Sequence, residues 1–258
     1  MTIAKISQET GAGQGLLQQP VSGADMAFGP LLEISGGTLF NAGALKGRGV
    51  RNLMVQGDSL QPGGAAYDVQ VASIAGQPAV AVQDIVGYRL VSQQAINPSE
   101  WTIFFVLDFS SVGVSAGRDL LRSETSFSTG YTPRIVLSNT DQLYIAQNSS
   151  STVRLNAGVQ AAETPALFAI TLSEEQGLAI WKNGARVAHA PTDTAPFDDG
   201  YQAGGWVWGR QNQGTGYLRL GWCGHVNVDL SRWRYSGDGQ AGHMARITTY
   251  LKGLYGIA

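Results

Sequence analysis

Charge is scarce in this sequence, and so are most of the residues that mark a common chemistry. Of 258 residues only 14% are charged, with 17 Lys and Arg against 19 Asp and Glu. The basic residues form no tract, which excludes nucleic-acid binding through a broad cationic face. No run approaches the ~20 consecutive apolar residues of a membrane-spanning helix, so no membrane insertion of that kind is expected. The opening Met1-Thr2-Ile3-Ala4-Lys5-Ile6-Ser7-Gln8-Glu9-Thr10 shows no apolar stretch of the kind that marks a secretory leader. There is one cysteine, Cys223, so no intrachain disulfide is expected. Its setting, Gly221-Trp222-Cys223-Gly224-His225-Val226, reads as a strand with Cys223 as a small core residue. A catalytic pair with His225 is disfavoured, because side chains two apart on a strand are roughly 7 Å apart. His189, His225 and His243 are widely separated and lack zinc spacing. Each reads as a surface or hydrogen-bonded histidine. No G-x-S-x-G is present, and no phosphate-binding or dinucleotide glycine pattern follows a strand.

What is abundant is glycine, 34 residues, together with Ser, Thr, Asn and Gln. That mix suits short strands joined by turns and does not suit a helical bundle. Residues 1–30, with Gly11-Ala12-Gly13-Gln14-Gly15 and Gln18-Gln19-Pro20, read as an extended N-terminal arm. It is either a free tail or an arm that orders on a neighbouring subunit. In the second case Leu16, Leu17, Val21, Met26 and Phe28 are its contacts, and deleting residues 1–28 would leave the sandwich folded. From residue 31 to 258 one domain is expected. Its strands include Leu31–Ile34, Thr38–Phe40, Val69–Ser73, Ala79–Val82, Arg134–Leu137 and Gln142–Ala146. Trp101–Phe109 is apolar nearly throughout and predicts a central strand covered on both faces. Leu178–Trp181 and Ala185–Ala188 flank Lys182-Asn183-Gly184, which predicts a hairpin with a type I′ turn. Trp101, Ile103, Phe105, Leu107, Phe168, Ile170, Ile180 and Val187 are the expected core. Met244, Ile247, Leu251 and Leu254 are spaced by three and four and predict one C-terminal helix over 240–252, with Asp238 as its N-cap.

Four segments carry a family resemblance. Ile74-Ala75-Gly76-Gln77-Pro78-Ala79-Val80, the strand Trp101–Leu107 and the hairpin Leu178–Val187 each resemble a segment of concanavalin A-like and laminin G-like domains. The ending Ile247-Thr248-Thr249-Tyr250-Leu251-Lys252-Gly253-Leu254-Tyr255-Gly256-Ile257 resembles the tail of bacterial and phage versions, with Leu254 where Lys is usual. The resemblance implies an all-β, two-sheet antiparallel jelly-roll sandwich with one short C-terminal helix. It also implies a bacteriophage virion component, a capsid decoration or a tail or spike protein. Its partners would be other virion proteins and host cell-surface polysaccharide. It would assemble as a homo-oligomer, with a trimer as the form common among such appendages. The alternative is a bacterial carbohydrate-binding module, secreted or on the cell surface.

Glycan hydrolases of this fold carry acids at alternating positions of one strand, because residues two apart share a face and two carboxylates must flank the scissile bond. That pattern is absent, so no catalytic residue and no enzymatic activity are expected. No cofactor is expected either. Relatives often hold calcium on loop oxygens, and Asp198, Asp199, Asn212 and Asp229 are ligands by type, but they form no dense ligand loop. The enriched stretch is Tyr201 to Tyr235, with Trp206, Trp208, Trp222, Trp233 and Tyr217, and with Arg210 and Asn212 between. Aromatic faces stack on sugar rings, and amides bond hydroxyls. Tyr201, Trp206, Trp208, Arg210, Asn212 and Tyr217 are therefore the candidate glycan or protein contacts, beside the reading that most of these rings are core.

Overall fold

The run 101–108 offers almost no polar side chain to water, and the fold buries both of its faces. A computed structural model describes residues 22–62, 68–82, 90–92, 94–109, 118–123, 133–138, 140–147, 152–160, 165–196, 206–208 and 218–258. Helix α1 (Gly23–Phe28) and a 3-10 helix (Gly29–Glu33) come first. The strands described are β1 (Thr38–Phe40), β2 (Leu45–Lys46), β3 (Gly49–Arg51), β4 (Ser59–Pro62), β5 (Gln70–Ile74), β6 (Gln77–Val82), β7 (Leu90–Val91), β8 (Trp101–Asp108) and β9 (Arg118–Ser123). They continue as β10 (Pro133–Leu137), β11 (Gln142–Gln147), β12 (Thr152–Val159), β13 (Ala166–Ser173), β14 (Gly177–Lys182), β15 (Ala185–Ala190), β16 (Trp206–Trp208) and β17 (Leu218–Val226). Helix α2 (Gly242–Tyr255) closes the chain.

Among the described residues the strands form two antiparallel sheets. One runs β15-β14-β13-β8-β17-β6-β5, with β1 also on β17, and the other runs β12-β11-β10-β9-β16-β7-β4-β3-β2. The fold is the all-β jelly-roll sandwich that the sequence implies. The first sheet is the middle layer of three. Its inner face meets the second sheet through Ile103, Phe105 and Leu107 of β8 and Phe168, Ile170 and Leu172 of β13. Its outer face presents the alternate residues, Phe104, Val106, Leu167 and Ala169, to α1, α2 and the 3-10 helix. Burying each large apolar side chain is worth about 1.5–3 kcal/mol, so the double-sided strands β8 and β13 are the energetic centre of the fold.

Helix α2 docks through Met244, Ile247, Leu251 and Tyr255. The Tyr255 hydroxyl accepts a hydrogen bond from Trp222 N–H at 3.0 Å. It lies so near Gly221 that a Cβ there would fall 2.5 Å from the hydroxyl oxygen, which is why a strand interior tolerates glycine here.

The structure corrects several expectations. The folded domain starts before residue 31. Ser22-Gly23-Ala24-Asp25 is a capping box: Asp25 N–H donates to Ser22 Oγ (3.1 Å), and Ser22 N–H donates to Asp25 Oδ2 (3.2 Å). The resulting helix drives Phe28 into the chain's own core, stacked on Trp222 at 4.4 Å and edge-on to Tyr250 at 5.5 Å. Phe28 is therefore not an arm contact, while Met26 stays half exposed. Leu16, Leu17 and Val21 lie outside the described residues. Leu31–Ile34 is not a strand, because Gly29-Pro30 starts a 3-10 helix whose fixed proline φ suits a helical first turn. Val187 is exposed: it is the extra residue of a bulge in β15 and stands outside the ladder to β14. Asp238 does not cap α2: its carboxylate meets His243 Nδ1 (2.8 Å) and Arg246 Nε (2.9 Å), and the N-cap position falls to Ala241.

Candidate ligand groove on the outer face

Helix α2 covers the outer face of the middle sheet over β8 and β17 but stops short of its β15 edge. The uncovered end is a groove of about 870 Å³ between the hairpin β14–β15 and the flank of α2. Its floor is Thr171 of β13 with Ala179 and Trp181 of β14. Trp181 Nε1–H donates to Thr171 Oγ1 at 3.3 Å, which fixes the indole plane. Arg186 and His189 of β15 line the side away from the helix, and Thr248, Thr249 and Lys252 of α2 line the helix side.

Both ends of the groove are set by local chemistry. At one end is the hairpin turn, where Asn183 (φ 52) and Gly184 (φ 89) take the positive φ values of the expected type I′ geometry. Asn183 N–H donates to Leu167 O (2.8 Å), Leu167 N–H donates to Asn183 Oδ1 (3.0 Å), and Asn183 Nδ2 donates to Ala258 O (3.3 Å). The turn is thereby tied to β13 and the chain terminus, with Gly184 packed on Thr248.

The other end is the segment 229–241, held by buried Asp229. Its carboxylate accepts from Ser173 Oγ (2.8 Å) and from Ser231 N–H (3.0 Å) and Oγ (2.6 Å). That anchor delivers Ser231, Arg232 and Arg234 to the groove. Arg232 is ion-paired with Glu175, which holds its guanidinium above the ordinary value. Arg234 donates to Gln240 Oε1 at 2.8 Å. Behind α2, His243 Nε2 donates to Ala27 O (2.8 Å), joining the helix to α1. Burial raises the Asp238 carboxyl, but the Tyr235 N–H bond, His243 and Arg246 outweigh it and hold the group below its ordinary value.

The residues singled out from the sequence fare differently. Trp208 is buried and packs edge-on against Phe40 at 5.2 Å, so it is a core ring and not a contact. Trp206 lies on β16, which pairs with β7 and β9. Tyr201, Arg210, Asn212 and Tyr217 lie outside the described residues, as do Asp198 and Asp199. Asp229, a calcium ligand by type, has both oxygens occupied by serine donors, and among the described residues no three His, Cys, Asp or Glu gather as a metal group. Cys223 is a buried core residue, its thiol pushed well up by burial. Burial pushes the His225 imidazole down to about 3, opposed by a bond to the Asn227 side chain. His189 Nε2 donates to Gln176 O at 2.8 Å.

The groove itself was not visible in the sequence, because its walls are 50 or more residues apart along the chain. The available signal was an exposed-face Trp and Arg flanking the Asn-Gly turn.

The sequence matches no family model and no curated protein. Solved structures do match. The binding domain of Paraclostridial Mosquitocidal Protein 1 is 10% identical with a TM-score of 0.57, over 85% of this chain and 52% of that one. The receptor-binding domain of botulinum neurotoxin D is 9% identical with a TM-score of 0.57, over 86% and 54%. Trypanosoma rangeli sialidase in complex with 2,3-difluorosialic acid is 8% identical with a TM-score of 0.55, over 85% and 33%. The chain thus spans about half of the first two proteins and a third of the sialidase. At such identities the likeness establishes the fold alone: this chain is an all-β jelly-roll sandwich.

Proposed function

We propose that the chain is a non-catalytic saccharide-recognition module of a bacteriophage virion, and that it docks a host-surface glycan in the groove between β14–β15 and α2. The observation that carries the saccharide reading is the groove's make-up. One half-buried tryptophan forms the floor, amides and hydroxyls line the walls, and the volume of about 870 Å³ suits a short oligosaccharide. An aromatic face takes the C–H face of a pyranose, and Gln176, Asn183, Gln240 and the threonines bond its hydroxyls. Two of the similar solved structures are a binding domain and a receptor-binding domain. The virion setting is supported by the phage-type ending 247–257 and by the Gly- and Gln-rich stretch before residue 21. The non-catalytic reading is supported by the carboxylates near the groove, which are committed to structural partners: Asp229 to serines, Glu175 to Arg232, and Asp238 to His243 and Arg246.

The test is a glycan array probed with the full chain and with Trp181→Ala. Binding that drops at least about tenfold in the variant, with no product released from the bound glycan, is the expected result. Undiminished binding in Trp181→Ala, or turnover of the glycan, overturns the reading. Mass spectrometry of purified particles tests the setting: the chain should be found at a fixed stoichiometry, and its presence only in the medium favours the bacterial module.

A further inference from the structure

Strand β15 contains one residue too many. Across the hairpin Ile180 faces Ala188, yet Trp181 faces Arg186, so Val187 is squeezed out of the ladder. In an unbroken ladder Val187 would lie opposite Trp181, and Arg186 would turn to the inner face of the sheet. The bulge sets Arg186 directly across from Trp181 on the outer face, its guanidinium 5.7 Å from the indole centroid. Bulges disrupt local pairing and recur where a side chain must be re-aimed. Here the re-aimed side chain is a cation placed over the groove floor.

The other charged residues of the lining have the same sign. Arg234 and Lys252 join Arg186, Arg232 is ion-paired with Glu175, and among the described residues no Asp or Glu lines the groove. This does not follow from composition, since the chain has 19 acidic against 17 basic residues.

We propose that the groove selects an acidic saccharide, with Arg186 gripping its anionic group while the sugar ring lies on Trp181. The proposal rests on reading the groove as a saccharide site and adds the charge of the ligand. A guanidinium fork matches a carboxylate or sulfate with two parallel N–H donors, and the flat aromatic beside it orients the ring that carries the anion. An acidic peptide would satisfy the cations but has no use for a stacking floor flanked by amides and hydroxyls.

The experiment compares matched ligands on the full chain. Polygalacturonate, a sialylated oligosaccharide and heparin are presented beside their carboxyl-reduced or desulfated forms, with polyglutamate as the peptide arm. The expected result is binding to at least one acidic glycan. Affinity should fall about tenfold or more when its anionic groups are removed, and by a similar factor in Arg186→Gln at unchanged melting temperature. Raising salt from about 50 to 500 mM should weaken the interaction. If acidic and neutral forms bind equally and Trp181→Ala still abolishes binding, the charge inference falls and the saccharide reading stands. If only polyglutamate binds, or no glycan binds, both fall. If Arg186→Gln binds as tightly as the native chain, the role given to Arg186 is wrong.

Discussion

The two ends of the middle sheet's outer face belong to one sheet and differ in what lies over them. Toward β8 and β17 the outward residues are Phe104, Val106, Leu167, Ala169 and Trp222, and α1 and α2 seal them from water. Toward β15 the outward residues are Trp181, Arg186 and His189, half-buried or exposed, with Thr171 buried beneath the indole that donates to it. The changeover lies at the end of β14: along β13, Leu167, Ala169 and Thr171 are all sealed, and on β14 Ala179 is buried while Trp181 two residues later is half-buried. The sequence thus specifies an apolar face only where a helix will dock.

Substitutions should separate these regions by size of effect. The largest loss is expected in the sealed interior. Phe105→Ala, which removes a ring packed on Phe168 at 5.8 Å, should cost about 3–5 kcal/mol in urea unfolding. A cost below about 1 kcal/mol would mean the inner face is loosely packed. Next is the helical cover. Deleting residues 1–28 should cost about 3 kcal/mol more than deleting 1–21, because it also removes Phe28 from Trp222 and Ala27 O from His243. Equal melting of the two truncations would make α1 dispensable, as the sequence alone suggests.

A smaller effect is expected from pH. Folded His225 takes up its proton only near 3, whereas in the unfolded chain it does so near its ordinary value of about 6.5. Between those values the unfolded chain binds more protons. Stability from this group is therefore complete above about 6.5 and lost as pH falls toward 3, by about 2 kcal/mol at pH 5. Denaturation across that range should show the slope in the native chain and lose it in His225→Gln. The smallest effect belongs to the uncovered end. Arg186→Ala should change stability by no more than about 0.5 kcal/mol, because it removes an exposed side chain. A larger loss would make Arg186 part of the structure and not of a site.

The sequence revealed structure where one local rule acted alone. Trp101–Asp108 is apolar on both faces, and both are buried; Asn183-Gly184 demanded positive φ and has it; Gly256 ends α2 in the left-handed conformation. Expectations failed where two local signals competed. Phe28 sits in a glycine-rich stretch, but the Ser22–Asp25 box outweighs it and starts a helix. Val187 fits an alternating pattern that a bulge interrupts. Asp238 has the chemistry of a cap but is claimed by His243 and Arg246, charges that reach it only after α2 has docked. The aromatic stretch 201–235 drew attention by composition, and of its rings Trp208 is core. The groove was hidden for a different reason: Trp181 and Lys252 meet only through the packing of α2 on the sheet, which no local pattern encodes.

Recognition at the uncovered end of the outer face can be tested one indole at a time. The six tryptophans of the chain give six indole N–H resonances, which a titration with an array-selected acidic glycan can follow one by one once each is assigned by substitution. The Trp181 resonance should shift in a saturable manner, the midpoint should move to about tenfold higher glycan concentration in Arg186→Gln, and buried Trp101 and Trp208 should stay unmoved. A saturable shift at Trp206 with Trp181 unmoved would contradict recognition at that end and return the binding surface to the 201–217 stretch.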